Sequence, residues 1–176
     1  MLAKSPYHWL THQQQNRLFV FFFVLTLVVM AALQILGRPL TTDAAPAGIV
    51  SFELAGDLAS ARQMIASWGP DGGAYAGLNL GLDFLFMALY PVAIGLGCVL
   101  VGRTWLPFVG SLLAWGQLAA GLLDVVENAS LIQVLLGANT EWWPGLARWC
   151  AIPKFSLVVL GLVFVLVGTA VKLVKR

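Results

Sequence analysis

Charged residues are scarce in this 176-residue chain: Lys, Arg, Asp and Glu make up 10% of it, whereas 60% of the residues are hydrophobic. Soluble domains carry about 25% charged residues, so the composition excludes an ordinary water-soluble domain. It also excludes a disordered chain, which needs low hydrophobicity and high charge. The net charge of +2 is too small to indicate a nucleic-acid partner. The composition therefore predicts an all-α polytopic membrane protein with one membrane domain, residues 1–176.

Paired cysteines and metal-binding motifs are missing as well. Cys98 and Cys150 form no Cys-x-x-Cys motif, which argues against thiol redox chemistry and zinc ribbons. Helix rise separates the two by about 20 Å, so we expect no disulfide. His8 and His12 are one turn apart, but they have no third ligand nearby in sequence, and an interfacial tail is the favoured interpretation. We expect no cofactor and no metal, since phosphate-loop, nucleophile-elbow and zinc-protease motifs are also missing.

Four apolar stretches are long enough to cross a membrane as helices, which takes about 20 residues. Helices are expected because lipid offers no partners to the backbone groups of an open strand. The predicted spans are residues 18–36, 82–101, 105–123, whose helix continues to about 137, and 152–171. Pro107 falls in the first turn of its helix, where it is tolerated, and Pro91 is expected to kink the second span.

The basic residues favour one orientation of these spans. With both termini cytoplasmic, the inner side holds six Lys or Arg and no acid, and the outer side holds four Lys or Arg and all eight acids. By the positive-inside rule this distribution predicts cytoplasmic termini, and we expect the bacterial inner membrane as the location. The first apolar run exceeds the core of a signal peptide, which has about 7–15 residues. We therefore expect it to be a retained anchor.

The connection between the first two predicted spans has about 45 residues, too many for a simple loop. Within it, apolar residues recur at spacings of three and four: Val50, Leu54, Leu58, Ala61, Ile65 and Trp68. This spacing predicts one amphipathic helix over residues 48–68, which ends at Gly69 and Pro70. Two interpretations are open. The helix either lies flat at the outer interface, with its charges among head groups, or covers the bundle as a lid with Glu53 turned inward.

The third span carries small and polar residues on one helical face: Gly110, Ala114, Gln117, Gly121, Asp124 and Asn128, with Glu127 at its border. Small residues let helices approach closely in lipid, and polar residues on the same face point into the bundle. The second span offers a matching face with Asp83 and Tyr90. Helix rise places Asp83, Asp124, Glu127, Asn128 and Lys154, with Arg148, at one depth near the outer boundary, and Tyr90 and Gln117 deeper.

Acids and bases at one depth are expected to pair, because an isolated charge at the bilayer centre costs about 2.5–3.5 kcal/mol on insertion scales. The expected pairs are Asp124 with Lys154, and Asp83 with Arg148 or Lys154. Three interpretations of these residues are open: a buried ion-pair network that fixes the register of the helices, solvated helix ends, or a working site for a ligand, a proton or a reaction.

The leading functional hypothesis is a protein whose outer-leaflet cavity holds a membrane lipid or another amphipathic small molecule. Its candidate ligand-binding residues are Glu53, Asp83, Tyr90, Gln117, Asp124, Glu127, Asn128, Arg148 and Lys154. A second hypothesis is a membrane-embedded acid–base enzyme acting on a hydrophobic substrate, with Asp124, Glu127 and Tyr90 as candidate catalytic residues. A third is an accessory or assembly subunit of a larger membrane complex, or a homo-oligomer, whose small-residue face docks its partner.

Overall fold

The computed structural model describes residues 4–174, and these residues form an all-α fold. The helices in chain order are α1 (His12–Gly37), α2 (Ile49–Glu53), α3 (Leu58–Ser67), α4 (Gly72–Trp105), α5 (Pro107–Leu135) and α6 (Trp142–Val174), with a short 3-10 turn at Arg38–Leu40. α1, α4, α5 and α6 are each long and apolar enough to cross a membrane. The predicted four-span helical architecture is confirmed, and the chain is an integral membrane protein by these four helices. The predicted topology and membrane type stay predictions.

The helices extend beyond the apolar stretches that identify them in the sequence. α4 begins at Gly72 instead of residue 82, and α6 begins at Trp142 instead of residue 152. Hydropathy detects only the part of a helix that is apolar enough to face lipid, so the more polar turns beyond it give no signal. α5 begins at Pro107, in keeping with the predicted place of this proline in the first turn, and ends two residues before Gly137, whose φ of +88° suits a helix C-cap.

Residues 48–68, which the sequence predicts as one amphipathic helix, form two shorter helices in the structure. Gly56 adopts a φ of +80° between them, a conformation that interrupts a helix and favours glycine. Asp57 then caps α3: its side chain accepts a hydrogen bond of 2.8 Å from the backbone N–H of Ser60. The apolar spacing continues across the break, so periodicity alone did not show it. α3 ends before Gly69, as the sequence predicts.

The structure divides into two compact units, and the first contains residues 28–87 and 123–153. We call it the loop unit. Its apolar core takes side chains from the connection and from all of α2 to α6: Leu40, Phe52, Leu58, Ala61, Trp68, Ala76, Leu80, Leu131, Val134 and Ala147. Phe52 and Trp68 pack edge to face, with ring centroids 5.3 Å apart. α2 and α3 are thus part of a packed core instead of a solvated loop.

The second unit, which we call the terminal unit, contains residues 4–27, 88–122 and 154–174 among those described. Tyr7 is buried in its core with Leu96, Val99 and Ala114, although Tyr7 precedes α1. Burial raises the pKa of the Tyr7 hydroxyl well above its ordinary value. Trp115 Nε1 donates a hydrogen bond of 3.0 Å to the carbonyl oxygen of Lys4. The segment before α1 is therefore an integral part of this unit.

α4 and α5 approach each other closely within the terminal unit. A Cβ atom at Gly110 would lie 2.5 Å from the carbonyl oxygen of Cys98 and 3.1 Å from the Cα atom of Gly102. Only glycine at position 110 leaves room for the facing backbone, which is how small residues pack helices in lipid. Ala114, one turn further along α5, is fully buried.

We expect the Asp57 cap to hold α3 at neutral pH and to weaken as the solution becomes acidic. The Ser60 backbone N–H, followed by the Ser60 hydroxyl, stabilises the charged carboxylate and holds the pKa of Asp57 below its ordinary value. A carboxyl whose pKa is lowered in the folded state stabilises it above the unfolded-state pKa of about 3.9, and this contribution is lost as pH falls through the folded value. The measurement is hydrogen exchange of the α3 amides, corrected for intrinsic rates, at neutral and acidic pH.

Two variants separate capping from charge in that experiment. Asp57→Asn keeps an acceptor for the Ser60 N–H, so α3 should lose the pH dependence and stay protected. Asp57→Ala removes the acceptor and should expose the first turn of α3 at every pH. Asp71→Ala is the control, because Asp71 also precedes a helix but no hydrogen bond of its side chain occurs within residues 4–174. Equal protection in Asp57→Ala and wild type would contradict the capping role.

Candidate functional site

α5 brings the largest group of polar side chains into the interior. Every member of its predicted small and polar face is buried: Gly110, Ala114, Gln117, Gly121, Asp124 and Asn128. Glu127, at the border of this face, is also fully buried. The residues between them, such as Leu122, Val125 and Val126, are exposed, as expected of a lipid-facing surface. The helical period therefore separates a polar interior stripe from an apolar exterior one.

Six of the predicted site residues lie in the loop unit, and Arg148 is one of them. The other five are Glu53, Asp83, Asp124, Glu127 and Asn128. We call them the acidic set. Asn128 and Glu127 are 0% exposed, Asp124 is 3% and Glu53 is 8% exposed, while Asp83 is half-buried. They come from three helices, α2, α4 and α5. Carboxyl groups are rarely buried to this extent in soluble or membrane proteins, so the acidic set is the first place to look for function.

Asn128 connects α5 to α4 inside this set. Its Nδ2 donates a hydrogen bond of 2.8 Å to Oδ2 of Asp83 and lies 3.4 Å from the carbonyl oxygen of Leu80. Because Nδ2 faces both of these acceptors, the amide oxygen Oδ1 points away from Asp83 and Leu80. That Oδ1 atom is buried and has no hydrogen-bond partner within residues 4–174. A buried acceptor without a donor is costly in a protein interior, and it offers a place for a donor from a ligand.

The charge balance of the loop unit is strongly negative. It contains all eight acids of the chain and three basic residues, Arg38, Arg62 and Arg148. All three arginines are exposed, and Arg62 donates a hydrogen bond to the side-chain oxygen of Asn139. The formal charges of this unit therefore sum to a net negative value.

Arg148 lies against the break between α2 and α3. A Cβ atom at Gly56 would come within 2.9 Å of Nη1 of Arg148, so the glycine that interrupts the predicted helix also makes room for this side chain. The predicted pairing of Asp83 with Arg148 or Lys154 stays a prediction, as does the pairing of Asp124 with Lys154.

Tyr90, Gln117 and Lys154 lie in the terminal unit instead of the loop unit, and all three are buried. Gln117 donates a hydrogen bond of 2.7 Å from Nε2 to the carbonyl oxygen of Leu157, which joins α5 to α6. Nζ of Lys154 is 4.5 Å from the centroid of the Phe155 ring. The common depth that the sequence predicts for Lys154 and the acidic set stays a prediction.

The histidines and cysteines do not combine into a metal or redox centre. In residues 4–174, no group of three or more His, Cys, Asp or Glu side chains is arranged to hold a metal ion. Cys98 and Cys150 are both free and buried. His8 Nδ1 forms a hydrogen bond of 2.8 Å with the carbonyl oxygen of Ser5, which orients the imidazole within the segment that precedes α1.

The terminal unit also contains a cavity that the sequence did not indicate, with a volume of about 550 Å³. It lies where α1 begins, α4 ends and α5 begins, and its polar lining includes Ser5, His8, Thr11, His12, Arg103 and Ser111. The sequence signals at this place are His8 and His12, interpreted as part of an interfacial tail, and Arg103 next to the end of a span, which topology rules use for orientation alone. The folded segment before α1 completes the cavity, and hydropathy does not predict such a fold.

These features define a four-span helical membrane protein with two polar regions, the acidic set of the loop unit and the basic cavity of the terminal unit. No protein-family model, curated protein or solved structure matches the chain. Its function must therefore be inferred from the chemistry of these two regions.

Proposed function

We propose that this integral membrane protein binds a lipid or another amphipathic small molecule, and that the acidic set holds the polar head of that molecule. The observation that carries the proposal is Oδ1 of Asn128, a fully buried acceptor without a donor within residues 4–174, on the residue that also binds Asp83. Sites for small molecules typically combine apolar walls with a few polar groups that fix orientation.

The chemistry of the acidic set favours a particular kind of head group. Ionised carboxylates and the amide oxygen of Asn128 are hydrogen-bond acceptors only, so a suitable ligand must donate. The excess of acids over arginines in the loop unit favours a positive charge on the donor. An ammonium group satisfies both conditions, and a hydroxyl group satisfies the first. We therefore favour an amine-bearing amphipathic molecule over an anionic one.

The exposed apolar face of α5 suits the apolar part of such a ligand. Leu122, Val125 and Val126 alternate with Asp124 and Glu127 along α5 and are 71%, 42% and 43% exposed. A hydrocarbon chain lying along this exterior face would stay in the lipid phase, and its head would have to pass around α5 to reach the carboxylates on the interior face.

The test is native mass spectrometry of the gently solubilised full-length protein, with wild type beside Asp124→Asn. We expect the wild type to carry a discrete bound mass. Asp124→Asn should retain at least about ten-fold less of it, which corresponds to about 1.4 kcal/mol of binding free energy. Ser130→Ala is the matched control, because Ser130 is buried on the same helix and its hydroxyl donates only to the carbonyl oxygen of Val126 within the described structure. Dodecylamine and dodecyl sulfate serve as added probes, and the amine should be retained preferentially.

A protein mass without ligand in both forms, with no preference for dodecylamine, would contradict the proposal. It would favour the accessory-subunit hypothesis, in which the acidic set is structural. A covalently altered form of the bound molecule, with formation that depends on pH, would favour the acid–base enzyme. Should Asp124→Asn fail to fold, Glu53→Gln on α2 replaces it, with the same expected loss of bound mass.

A further inference from the structure

We propose that the cavity of the terminal unit binds a phosphate-bearing anion, with Arg103 as the residue that recognises it. This inference is independent of the acidic set, because the cavity and the acidic set belong to different units and carry opposite charge. The ligand chemistry is a phosphate ester or free phosphate, and the experiment below distinguishes a lipid head group from the soluble ion.

Arg103 is held in place by a buried amide. One of its guanidinium nitrogens, Nη2, donates to Oε1 of Gln15, and Gln15 is 4% exposed. Nε2 of Gln15 in turn donates to the carbonyl oxygens of Tyr7, at 2.9 Å, and Leu10, at 3.0 Å. Gln15 is thus locked by three hydrogen bonds and fixes the guanidinium at the cavity wall. An arginine positioned in this way loses little conformational freedom when it binds an oxyanion.

Most donors of this guanidinium are left for a ligand. Arginine has five N–H donors in a planar fork, and Gln15 is the one hydrogen-bond partner of Arg103 within residues 4–174. Two parallel donors of the fork match two oxygens of a phosphate group, which makes arginine the preferred side chain for bidentate phosphate recognition. The unused donors of Arg103 therefore determine the class of ligand.

No acid of this unit competes for Arg103. The described residues of the terminal unit include five Lys or Arg and no Asp or Glu. An arginine that is only half-exposed usually has a carboxylate beside it, because burying a charge without a partner is costly. Among residues 4–174 this unit supplies none, so an anionic ligand would provide the negative charge that Arg103 lacks.

The remaining lining of the cavity also suits an oxyanion. His8 donates from Nδ1 to the carbonyl oxygen of Ser5, so its Nε2 can donate to an anion only when the imidazole is protonated. Ser111 brings a hydroxyl group from the first turns of α5, and His12 lies at the start of α1. Hydroxyl groups and protonated imidazoles donate to phosphate oxygens, and no carboxylate side chain lines the cavity.

The depth and size of the cavity fit a phospholipid head group. It is bordered by the beginning of α1, the end of α4 and the beginning of α5, which are ends of membrane-length helices. The interfacial region that holds head groups begins where the hydrocarbon core of about 30 Å ends. Its volume of about 550 Å³ lies within the usual range of small-molecule sites, about 300–1,000 Å³.

The experiment measures lipid retention by native mass spectrometry on the full-length protein after delipidation. Phosphatidylglycerol and diacylglycerol with the same acyl chains are added separately, so that only the phosphate-bearing head group differs. We expect the wild type to retain phosphatidylglycerol at least about ten-fold better, and Arg103→Gln to lose this preference. Arg17→Gln is the matched control: Arg17 is an exposed arginine of the same unit that does not line the cavity.

Millimolar inorganic phosphate identifies the source of the ligand. Displacement of phosphatidylglycerol by phosphate supports a site for the free anion, and retention in its presence supports a lipid head group. Equal retention of the two lipids by wild type, or a folded Arg103→Gln that keeps the preference, would overturn the proposal. If Arg103→Gln does not fold, Ser111→Glu is decisive. It places a carboxylate in the cavity and should abolish the preference, and an unchanged preference would overturn the site.

Discussion

A Gly110→Ala variant is expected to lose about 1–3 kcal/mol of unfolding free energy, the usual cost of overpacking a tight contact. The new methyl group would meet the carbonyl oxygen of Cys98 at 2.5 Å. That oxygen belongs to the backbone of α4 and cannot rotate away as a side chain can. The two helices would have to separate, and contacts along both of them would weaken. The measurement is thermal or denaturant unfolding of the purified protein in one detergent.

Gly81→Ala is the control for this prediction. Gly81 lies inside α4 and is exposed, and a methyl group added there would have no neighbouring atom within 4 Å. Alanine is favoured over glycine in a helix by about 1 kcal/mol, so this variant should be neutral or more stable. If Gly110→Ala proved as stable as Gly81→Ala, α4 and α5 would not be in backbone contact.

The second large effect is expected at the hydrogen bond between Asn128 and Asp83. Asn128→Leu removes the amide that donates to the Asp83 carboxylate over 2.8 Å, and losing a buried hydrogen bond of this kind costs about 1–3 kcal/mol. Asn128→Asp should be worse, because two carboxylates would then face each other. Unfolding free energies of the purified variants give both values.

A double exchange isolates this contact from the rest of the acidic set. Asp83→Asn combined with Asn128→Asp keeps one carboxylate and one amide but reverses their positions. We expect the double variant to recover most of the stability that Asn128→Asp loses, because coupling energies between contacting residues reach about 0.5–3 kcal/mol. Additive losses in the double variant would show that the two side chains do not interact.

The sequence was sufficient for the class and the number of spans because both follow from one property, the length of apolar runs. The helical period was equally informative on α5, where each member of the stripe from Gly110 to Asn128 is buried. These features depend on local composition and on the 3.6-residue repeat, which a single sequence displays directly. The membrane makes these patterns pronounced, because polar side chains turned towards hydrocarbon would have no hydrogen-bond partners.

The break at Gly56 escaped prediction because the apolar spacing passes through it without a change. Glycine inside a helical pattern is tolerated in many helices, and the signal that mattered was the adjacent Asp57, a favoured N-cap residue. The fold then uses the break to place Arg148 against Gly56. This partner is 92 positions away in sequence, and no local pattern reports a contact of that range.

The sequence predicts residues of the first polar region, the acidic set, but it does not predict the second, the cavity at Arg103. Asp83, Asp124, Glu127 and Asn128 were selected by their faces and depth, and the structure joins Asp83 to Asn128; their role in binding stays a prediction. The cavity at Arg103 was not anticipated. It depends on the fold of the segment before α1, which buries Tyr7, and on the hydrogen bond between Gln15 and Arg103. Hydropathy does not predict contacts between such distant parts of the chain.

The long separation between Gln15 and Arg103 has a consequence for biogenesis. These residues are 88 positions apart, and chains are synthesised at about 5–20 residues per second. α1 therefore spends on the order of 4–18 seconds in the membrane before its partner arginine exists. Asn79, which later donates to the Leu33 carbonyl oxygen of α1, is also still to be made. During this interval α1 lies in the membrane without these partners. It is strongly apolar and little buried by the rest of the described structure, so contact with lipid is sufficient to hold it until α4 is made.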